Sequence, residues 1–133
     1  MGLKHIAIDS MILIYLLEGH PKYKESCKKL IKNAESVVIS SLSVGEILTG
    51  YKKNDNKSAE IQFFAFLKAI PNLRIQAFSM QEALHFANLR ADYPFLKAPD
   101  AINIASALNS PAEVFITNDK ELQKVTHIPV KTL

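Results

Sequence analysis

The sequence predicts a single-domain α/β fold in which a central, mostly parallel sheet of about four to five strands carries helices on both faces. Short apolar runs typical of buried strands recur along the chain, and segments with helical periodicity separate them. Strands that alternate with helices are joined by right-handed crossovers, which make neighbouring strands parallel. A length of 133 residues and a hydrophobic content of 48% suit one ordinary domain spanning residues 1–133.

In the first half of the chain, each predicted strand is followed by two predicted helices. The first helix begins directly after Asp9, and Pro21 fits the first turn of the second. Serines bound the second strand, and Gly50 is the expected end of the helix after it. The polar residues 54–56 favour a turn. The expected ranges are a strand over 3–8, helices over 10–17 and 21–33, a strand over 37–39, and helices over 43–49 and 58–70.

The second half of the chain continues the alternation. Pro71 breaks the preceding helix, Ser79 is the expected cap of the next one, and Pro99 opens another after a loop over 93–98. Pro129 precedes the last short strand. The expected ranges are a strand over 73–78, helices over 79–91 and 99–109, a strand over 114–116, a short helix over 120–124, and a strand over 130–132.

Charge and cysteine content narrow the classes of function. The net charge of +3 and the pI of about 9.0 are compatible with a polyanionic partner without requiring one. The single Cys27 excludes an internal disulfide and a cysteine-based zinc site, which fits a reducing cytoplasm. The apolar run 11–17 is too short to cross a bilayer, and Asp9 and the lack of a cleavage site argue against a signal peptide. We therefore expect a cytoplasmic protein without a membrane partner.

Four acidic residues lie at element junctions: Asp9, Glu46, Asp100 and Asp119. Asp9 and Asp119 each follow an apolar strand, and Glu46 follows another by less than two helical turns. The carboxyl ends of parallel strands share one edge of a sheet, so these side chains are expected to converge there. Each acid also has a local explanation. The three aspartates suit helix N-termini, and Ser43 with Glu46 matches a capping box.

The set of acids predicts more than any one of them. Packed carboxylates repel one another and raise their pKa values, whereas a helix cap can be served by Ser or Asn without that cost. A bound cation therefore explains convergence more simply than four independent caps. The candidate ligands are hard oxygen atoms, which favour Mg²⁺ or Mn²⁺ over Zn²⁺, and phosphodiester hydrolysis is a common use of such a site.

Four segments in order make the chain resemble a PIN-domain ribonuclease, and in particular the VapC-like toxins of type II toxin–antitoxin pairs. They are IAIDS (6–10), SLSVGEILTG (41–50), KAPDAINIASAL (97–108) and VFITND (114–119), and together they span nearly the whole chain. The resemblance implies that Asp9, Glu46, Asp100 and Asp119 form the acidic, metal-binding site. It also implies that Ser10 and Thr117 support the site by hydrogen bonding.

Three further residues near these segments are candidates for supporting roles. Some relatives carry an additional acid about one turn after the third one, where this chain has Asn103, so a second metal position is left open. Asn103 is a candidate for holding a metal-bound water, and Asn118 is a candidate for sharing the role of Asp119. Lys97, three residues before Asp100, is the best single candidate for contact with a substrate phosphate.

The resulting expectation is a Mg²⁺- or Mn²⁺-dependent endoribonuclease that hydrolyses single-stranded RNA and is the toxin of a toxin–antitoxin pair. Its partners would be the RNA, a small antitoxin that places a basic side chain or helix near the acids, and a second copy in a homodimer. The alternative is a PIN-fold binding scaffold without cleavage activity. Response-regulator receivers and haloacid-dehalogenase phosphatases are poor matches, because the first strand is followed by only one aspartate, with Met11 two residues later.

Overall fold

A five-stranded, entirely parallel sheet forms the centre of the molecule. The computed structural model describes residues 4–133. The strand order is β3-β2-β1-β4-β5, and every neighbouring pair is parallel. The predicted α/β class is confirmed. The strands are β1 (His5–Ile8), β2 (Ser36–Ser40), β3 (Leu73–Gln76), β4 (Val114–Thr117) and β5 (Val130–Thr132).

Six α-helices and one short 3₁₀ helix connect the strands. All expected elements are present, although several bounds differ by a few residues, and Leu3 of the first predicted strand lies outside the described residues. The helices are α1 (Ser10–Glu18), α2 (Lys24–Asn33), α3 (Ser41–Lys53), α4 (Lys57–Ala69), α5 (Met80–Asp92), α6 (Ala98–Leu108) and the 3₁₀ helix Lys120–Lys124.

The prediction that α2 starts at Pro21 is wrong, because residues 21–23 form a turn. The amides of Lys22 and Tyr23 donate to Nδ1 of His20, at 3.1 and 3.3 Å. These side-chain bonds hold the turn outside the helix, and the helix begins at Lys24.

The helix after β2 is longer than expected, and the prediction that Gly50 ends it is wrong. It begins after Ser40, whose hydroxyl accepts a hydrogen bond from the amide of Ser43 at 3.1 Å. A glycine inside a helix costs about 1 kcal/mol relative to alanine, and α3 continues through Gly50 to Lys53. Because Ser40 is the cap, the proposed capping box of Ser43 and Glu46 is also wrong, and Glu46 has no capping role.

The two faces of the sheet bury different side chains of the same strands. One face, which includes Ile6 and Ile8 of β1, packs against α1, α2, α3 and α4. The other face, which includes Ala7, packs against α5, α6 and the 3₁₀ helix. This alternation follows from the two-residue period of a strand. It makes β1 a strand buried on both sides, with its carboxyl end between those of β2 and β4.

Cys27 of α2 belongs to the core on the first of these faces and is completely buried. Burial raises the pKa of its thiol to about 11, and the nearby charge of Asp9 acts in the same direction. A thiol with this environment is neutral at physiological pH and unreactive. No helix within residues 4–133 combines the length and the apolar character needed to span a bilayer.

Candidate metal centre

Asp9 lies at the carboxyl end of β1 and is the most buried of the four acids, with 9% of its surface exposed. Its backbone amide donates to the carbonyl of Ile116 in β4, and its Oδ1 accepts from the amide of Met11 at 3.0 Å. Burial raises the pKa of Asp9, although a hydrogen bond from Thr117 and bonds from backbone amides partly oppose the increase. Asp9 therefore caps α1 and also presents a carboxylate at the sheet edge.

Thr117 connects the ends of the two strands that precede Asp9 and Asp119. Its hydroxyl donates to Oδ2 of Asp9 and accepts from the backbone amide of Asp119 at 3.1 Å. Thr117 is completely buried, so this connection is shielded from water. Asp119 itself is exposed and caps the 3₁₀ helix by accepting from the amide of Glu121. One buried hydroxyl thus sets the positions of both strand-end aspartates.

Asp100, in the first turn of α6, is the acid that couples electrostatically to the other three. Burial raises its pKa, the charge of Asp119 raises it further, and the charge of Lys97 lowers it in part. Burial also raises the pKa of Glu46, and the second cause is the charge of Asp100. The charge of Asp100 adds to the increase at Asp9 as well. The fold therefore places Asp100 within electrostatic reach of each of the other three sequence-predicted acids.

A pocket of about 250 Å³ opens between the start of α6 and the 3₁₀ helix, with Asp100 and Asp119 in its wall. Lys97 lines the same pocket and is exposed. An ammonium group beside two carboxylates is suitably placed to meet a phosphate that approaches them. The remaining lining residues are Phe95, Leu96, Glu121 and Leu122.

Asn103 is 6% exposed and lies one turn after Asp100 on α6. Its Oδ1 accepts hydrogen bonds from the hydroxyls of Ser40 and Ser43, the latter at 3.1 Å. This oxygen is therefore engaged in fixing α6 against the end of β2. Its structural task is to hold the helix that carries Asp100 in place.

The remaining two candidates lie on the α1 side of the acids. Ser10 is the first residue of α1 and is partly exposed. The side chain of Asn118 turns toward α1, where its Nδ2 donates to the hydroxyl of Tyr15 at 3.1 Å. Asn118 therefore contacts an aromatic side chain beside the acids.

The donor set fits a hard divalent cation by its chemistry, since it consists of carboxylate oxygens. Burial, and to a lesser extent the charge of a neighbouring carboxylate, raises the pKa values of Asp9, Glu46 and Asp100. Within residues 4–133, however, no three His, Cys, Asp or Glu side chains are arranged so that they could together hold a metal ion. Mg²⁺ commonly keeps several waters and uses only one or two carboxylates together with substrate phosphates. The open arrangement of the acids suits that mode of binding.

Sequence reasoning missed the serines of the Asn103 network and the tyrosine beside Asn118. Ser40 occupies the end of β2 as Asp9 occupies the end of β1, so the same strand-end argument would have identified it. Tyr15 carries no such signal, because its contact with Asn118 joins residues 103 positions apart. Only the tertiary structure places it beside the acids.

A family model described as PIN domain matches residues 6–128 of the chain. No curated protein sequence matches it. Among solved structures, a toxin–antitoxin complex from Klebsiella pneumoniae is 27% identical with a TM-score of 0.69, and the match covers 96% of each chain.

Two further solved structures share the fold at lower identity. VapBC2 from Rickettsia felis, bound to a DNA fragment from its promoter, is 19% identical with a TM-score of 0.78 and covers 96% of this chain and 98% of that one. VapC20 from Mycobacterium tuberculosis, described as a toxin that cleaves the sarcin-ricin loop, is 17% identical with a TM-score of 0.68. That match covers 90% of this chain and 93% of that one.

Proposed function

The chain belongs to the PIN-domain family, and from this premise we propose that it is a Mg²⁺- or Mn²⁺-dependent endoribonuclease that hydrolyses single-stranded RNA. We further propose that it is the toxin of a type II toxin–antitoxin pair. The observation that carries the proposal is the electrostatic coupling of Asp9, Glu46 and Asp119 to Asp100 at the carboxyl edge of the sheet. The similarity to solved toxin–antitoxin structures supports the assignment.

In this proposal the four acids act as the ligand set and Lys97 binds the substrate. Asp9 and Asp119 would be the principal ligands, held at their spacing by the Thr117 hydroxyl. Glu46 and Asp100 would complete the set or accept the proton of the attacking water. Lys97 would hold the phosphate at the pocket that Asp100 and Asp119 line. A divalent ion bound there supplies Lewis-acid stabilisation of the charge on the phosphate and the leaving oxygen.

A nuclease is distinguished from a binding scaffold by two measurements on the purified protein. Millimolar Mn²⁺ or Mg²⁺ is expected to raise the melting temperature, because an ion that binds only the folded state stabilises it. The same ion is expected to support cleavage of a mixed-sequence pool of labelled single-stranded RNA. If the ion causes no melting shift and the pool is not cleaved, the binding scaffold is favoured.

As the pH is lowered, the cleavage rate should begin to fall while the pH is still above the range in which ordinary carboxyl groups take up protons. The reason is that burial raises the pKa values of Asp9, Glu46 and Asp100. Protons compete with the metal ion for these oxygens, so a higher pKa means that protons displace the ion at a higher pH. The cleavage rate at saturating RNA and fixed Mg²⁺, measured between pH 4 and 8, checks this. A rate that stays constant down to pH 4, close to the ordinary aspartate value of 3.8, would show that these acids do not bind the ion.

We also propose that, besides the basic side chain or helix that it is expected to place near the acids, the antitoxin lays a helix in a groove lined by α2 and α4. This groove has a volume of about 580 Å³ and a mostly apolar wall that includes Ile31 and Phe66. Lys24, Lys28 and Lys32 follow one another at helical spacing along α2 and line it too. An amphipathic helix with apolar residues facing the groove and acidic residues facing the lysines fits this surface.

Reversing the charge of the groove is expected to weaken antitoxin binding selectively. The double variant Lys24→Glu/Lys28→Glu should reduce affinity for the cognate antitoxin by at least about tenfold, because like charges would face each other across the interface. The control Lys53→Glu changes an exposed lysine outside the groove and should bind as wild type. Isothermal titration calorimetry with the cognate antitoxin measures both. Equal losses in the two variants would contradict this location.

We expect a homodimer, as in the family that the chain resembles, formed by the exposed apolar side chains at the start of α5. Met80 and Leu84 are 76% and 63% exposed and lie one helical turn apart, with Phe78 close by. Burying such side chains against a second copy would provide the driving force. Leu84→Lys should convert the dimer to a monomer in sedimentation equilibrium, whereas Leu84→Met should not. A Leu84→Lys variant that stays dimeric would rule out this face.

A further inference from the structure

A cluster of aromatic and basic side chains contacts Asn118, the residue before Asp119, on the face of the sheet that α1 and α2 cover, whereas Lys97 precedes α6 on the other face. The rings of Tyr15, His20 and Tyr23 contact one another, each pair with centroids 4.9 Å apart. Nδ1 of His20 accepts from the amides of Lys22 and Tyr23. The turn between α1 and α2 is therefore held in one conformation, with the ring of Tyr23 in the turn fixed against the ring of Tyr15 in α1.

Asn118 attaches this cluster to the candidate metal centre. Its Nδ2 donates to the hydroxyl of Tyr15 at 3.1 Å, and its backbone is adjacent to that of Asp119. The side chain of Asn118 is also near enough to the Tyr23 hydroxyl to be the largest influence that lowers its pKa. Both phenol hydroxyls therefore lie next to the segment that carries Asp119.

Two lysines make this side of the site positive. Nζ of Lys22 lies 5.2 Å from the ring centroid of Tyr23, and the charges of Lys22 and Lys120 both lower the pKa of the Tyr23 hydroxyl. Neither lysine forms an ion pair within residues 4–133. Two cations without acidic partners, beside a hydroxyl that can donate, form a suitable environment for a phosphate group.

We propose that Lys22, Lys120 and the Tyr23 hydroxyl form a phosphate-binding subsite that holds the RNA backbone next to the bond that is cleaved. The proposal rests on the proposed function and extends it to how the substrate is positioned. With Lys97 in the pocket beyond Asp100 and Asp119, the acids are flanked by phosphate-binding groups on both sides. An RNA strand bound at both places passes over the acids. Asn118 is then a positioning residue, because it bonds to the Tyr15 hydroxyl and the Tyr15 ring packs against that of Tyr23.

The test is the affinity of a fluorescein-labelled, mixed-sequence single-stranded RNA, measured by anisotropy at several salt concentrations. The measurements use an Asp9→Asn background with Mg²⁺ so that the RNA stays intact. Lys22→Gln/Lys120→Gln should weaken binding about tenfold and reduce the slope of log affinity against log salt by about 1.4, since each of the two lost lysine–phosphate contacts on a single strand contributes about 0.7. Tyr23→Phe should weaken binding about threefold, as expected for the loss of one hydrogen bond.

The matched control is Lys29→Gln/Lys53→Gln, which removes the same amount of charge from two exposed lysines outside the cluster. The subsite is overturned when the test pair and the control pair give the same affinity and salt slope, or when the parent does not bind RNA. The proposed nuclease function can fail independently of the subsite. If wild-type protein cleaves no RNA in Mg²⁺ or Mn²⁺ while the test pair still lowers the salt slope, the subsite stands and nuclease activity does not.

Discussion

Replacing Asp9 by Asn is expected to lower the rate of RNA cleavage by at least about 100-fold, a loss typical of removing a group that stabilises developing charge at a reaction centre. Asparagine keeps the shape of the side chain, and its Oδ1 can still accept from the amide of Met11. The change removes one negative charge from the ligand set. The asparagine Nδ2 replaces the Oδ2 that accepts from Thr117, so the Thr117 hydroxyl would accept from this nitrogen instead. Initial cleavage rates in Mg²⁺ measure the effect on chemistry.

The melting temperature without metal gives the control on folding, and its direction follows from the pKa of Asp9. A carboxyl group whose pKa is raised by folding stabilises the fold while it is protonated, fully at pH below 3.8, and that stabilisation is lost as the pH rises through the raised value. At pH 7 the charged form is therefore unfavourable without metal, and Asp9→Asn should melt at or above the wild-type temperature.

The matched substitution for Asp9→Asn is Asp55→Asn. Asp55 is an exposed residue in the turn between α3 and α4 with φ of 50°, a conformation that asparagine adopts readily. It should leave the cleavage rate unchanged. An Asp9→Asn protein that cleaves RNA at the wild-type rate would show that Asp9 is not a ligand of the catalytic ion.

Glu82→Ala is expected to have the largest effect on stability of any single substitution outside the apolar core, about 3 kcal/mol. Glu82 is completely buried in the first turn of α5. Its oxygens accept from Gln76 at the end of β3, from the cap residue Ser79 and from Asn109 after α6. Alanine would leave these donors without partners in the interior, and each buried unsatisfied group costs about 1–3 kcal/mol.

The pH dependence of stability provides a second measure of the role of Glu82. Burial alone would raise its pKa, but hydrogen bonds from Gln76, Ser79 and Asn109 outweigh that effect and hold the pKa at about 2, below the ordinary 4.5. Its stabilisation is therefore present above pH 4.5 and is lost as the pH falls toward 2. Urea unfolding gives the free energy of unfolding at pH 7 and at pH 3. The difference in this free energy between wild type and Glu82→Gln should be smaller at pH 3. An equal difference at both pH values would contradict the assignment.

The order of strands and helices was predictable because the chain alternates apolar strand runs with amphipathic helices. The convergence of Asp9 and Asp119 was a topological expectation, since parallel strands place their carboxyl ends at one edge. The structure puts β1 and β4 side by side. Glu46 was expected at the same edge because it follows a strand by less than two helical turns. Asp100 was included as an acid at a helix start, and the motif order supported both. Their coupling in the structure depends on where α3 and α6 lie relative to the sheet.

Other features depend on contacts that local patterns do not encode. The end of α3 was misjudged because packing outweighs the helix preference of Gly50, and its start was misjudged because Ser40 served two roles, as the last residue of β2 and as the cap. The burial of Glu82 was not predicted, because it depends on partners that lie 6 and 27 residues away as well as at its own cap. Tyr15 and Asn118 are brought together only by the sheet.

The most direct test of the proposed metal centre is a Mg²⁺ titration of RNA cleavage by wild type and by Asp100→Asn. Asp100 is chosen because its charge couples to all three other acids. We predict that wild-type cleavage rises to saturation with Mg²⁺, stops in excess EDTA and returns when Mg²⁺ is restored, while Asp100→Asn stays at least about 100-fold slower at every concentration. Cleavage that persists in EDTA, or equal rates for the two proteins at saturating Mg²⁺, would contradict a metal-dependent nuclease built on these acids.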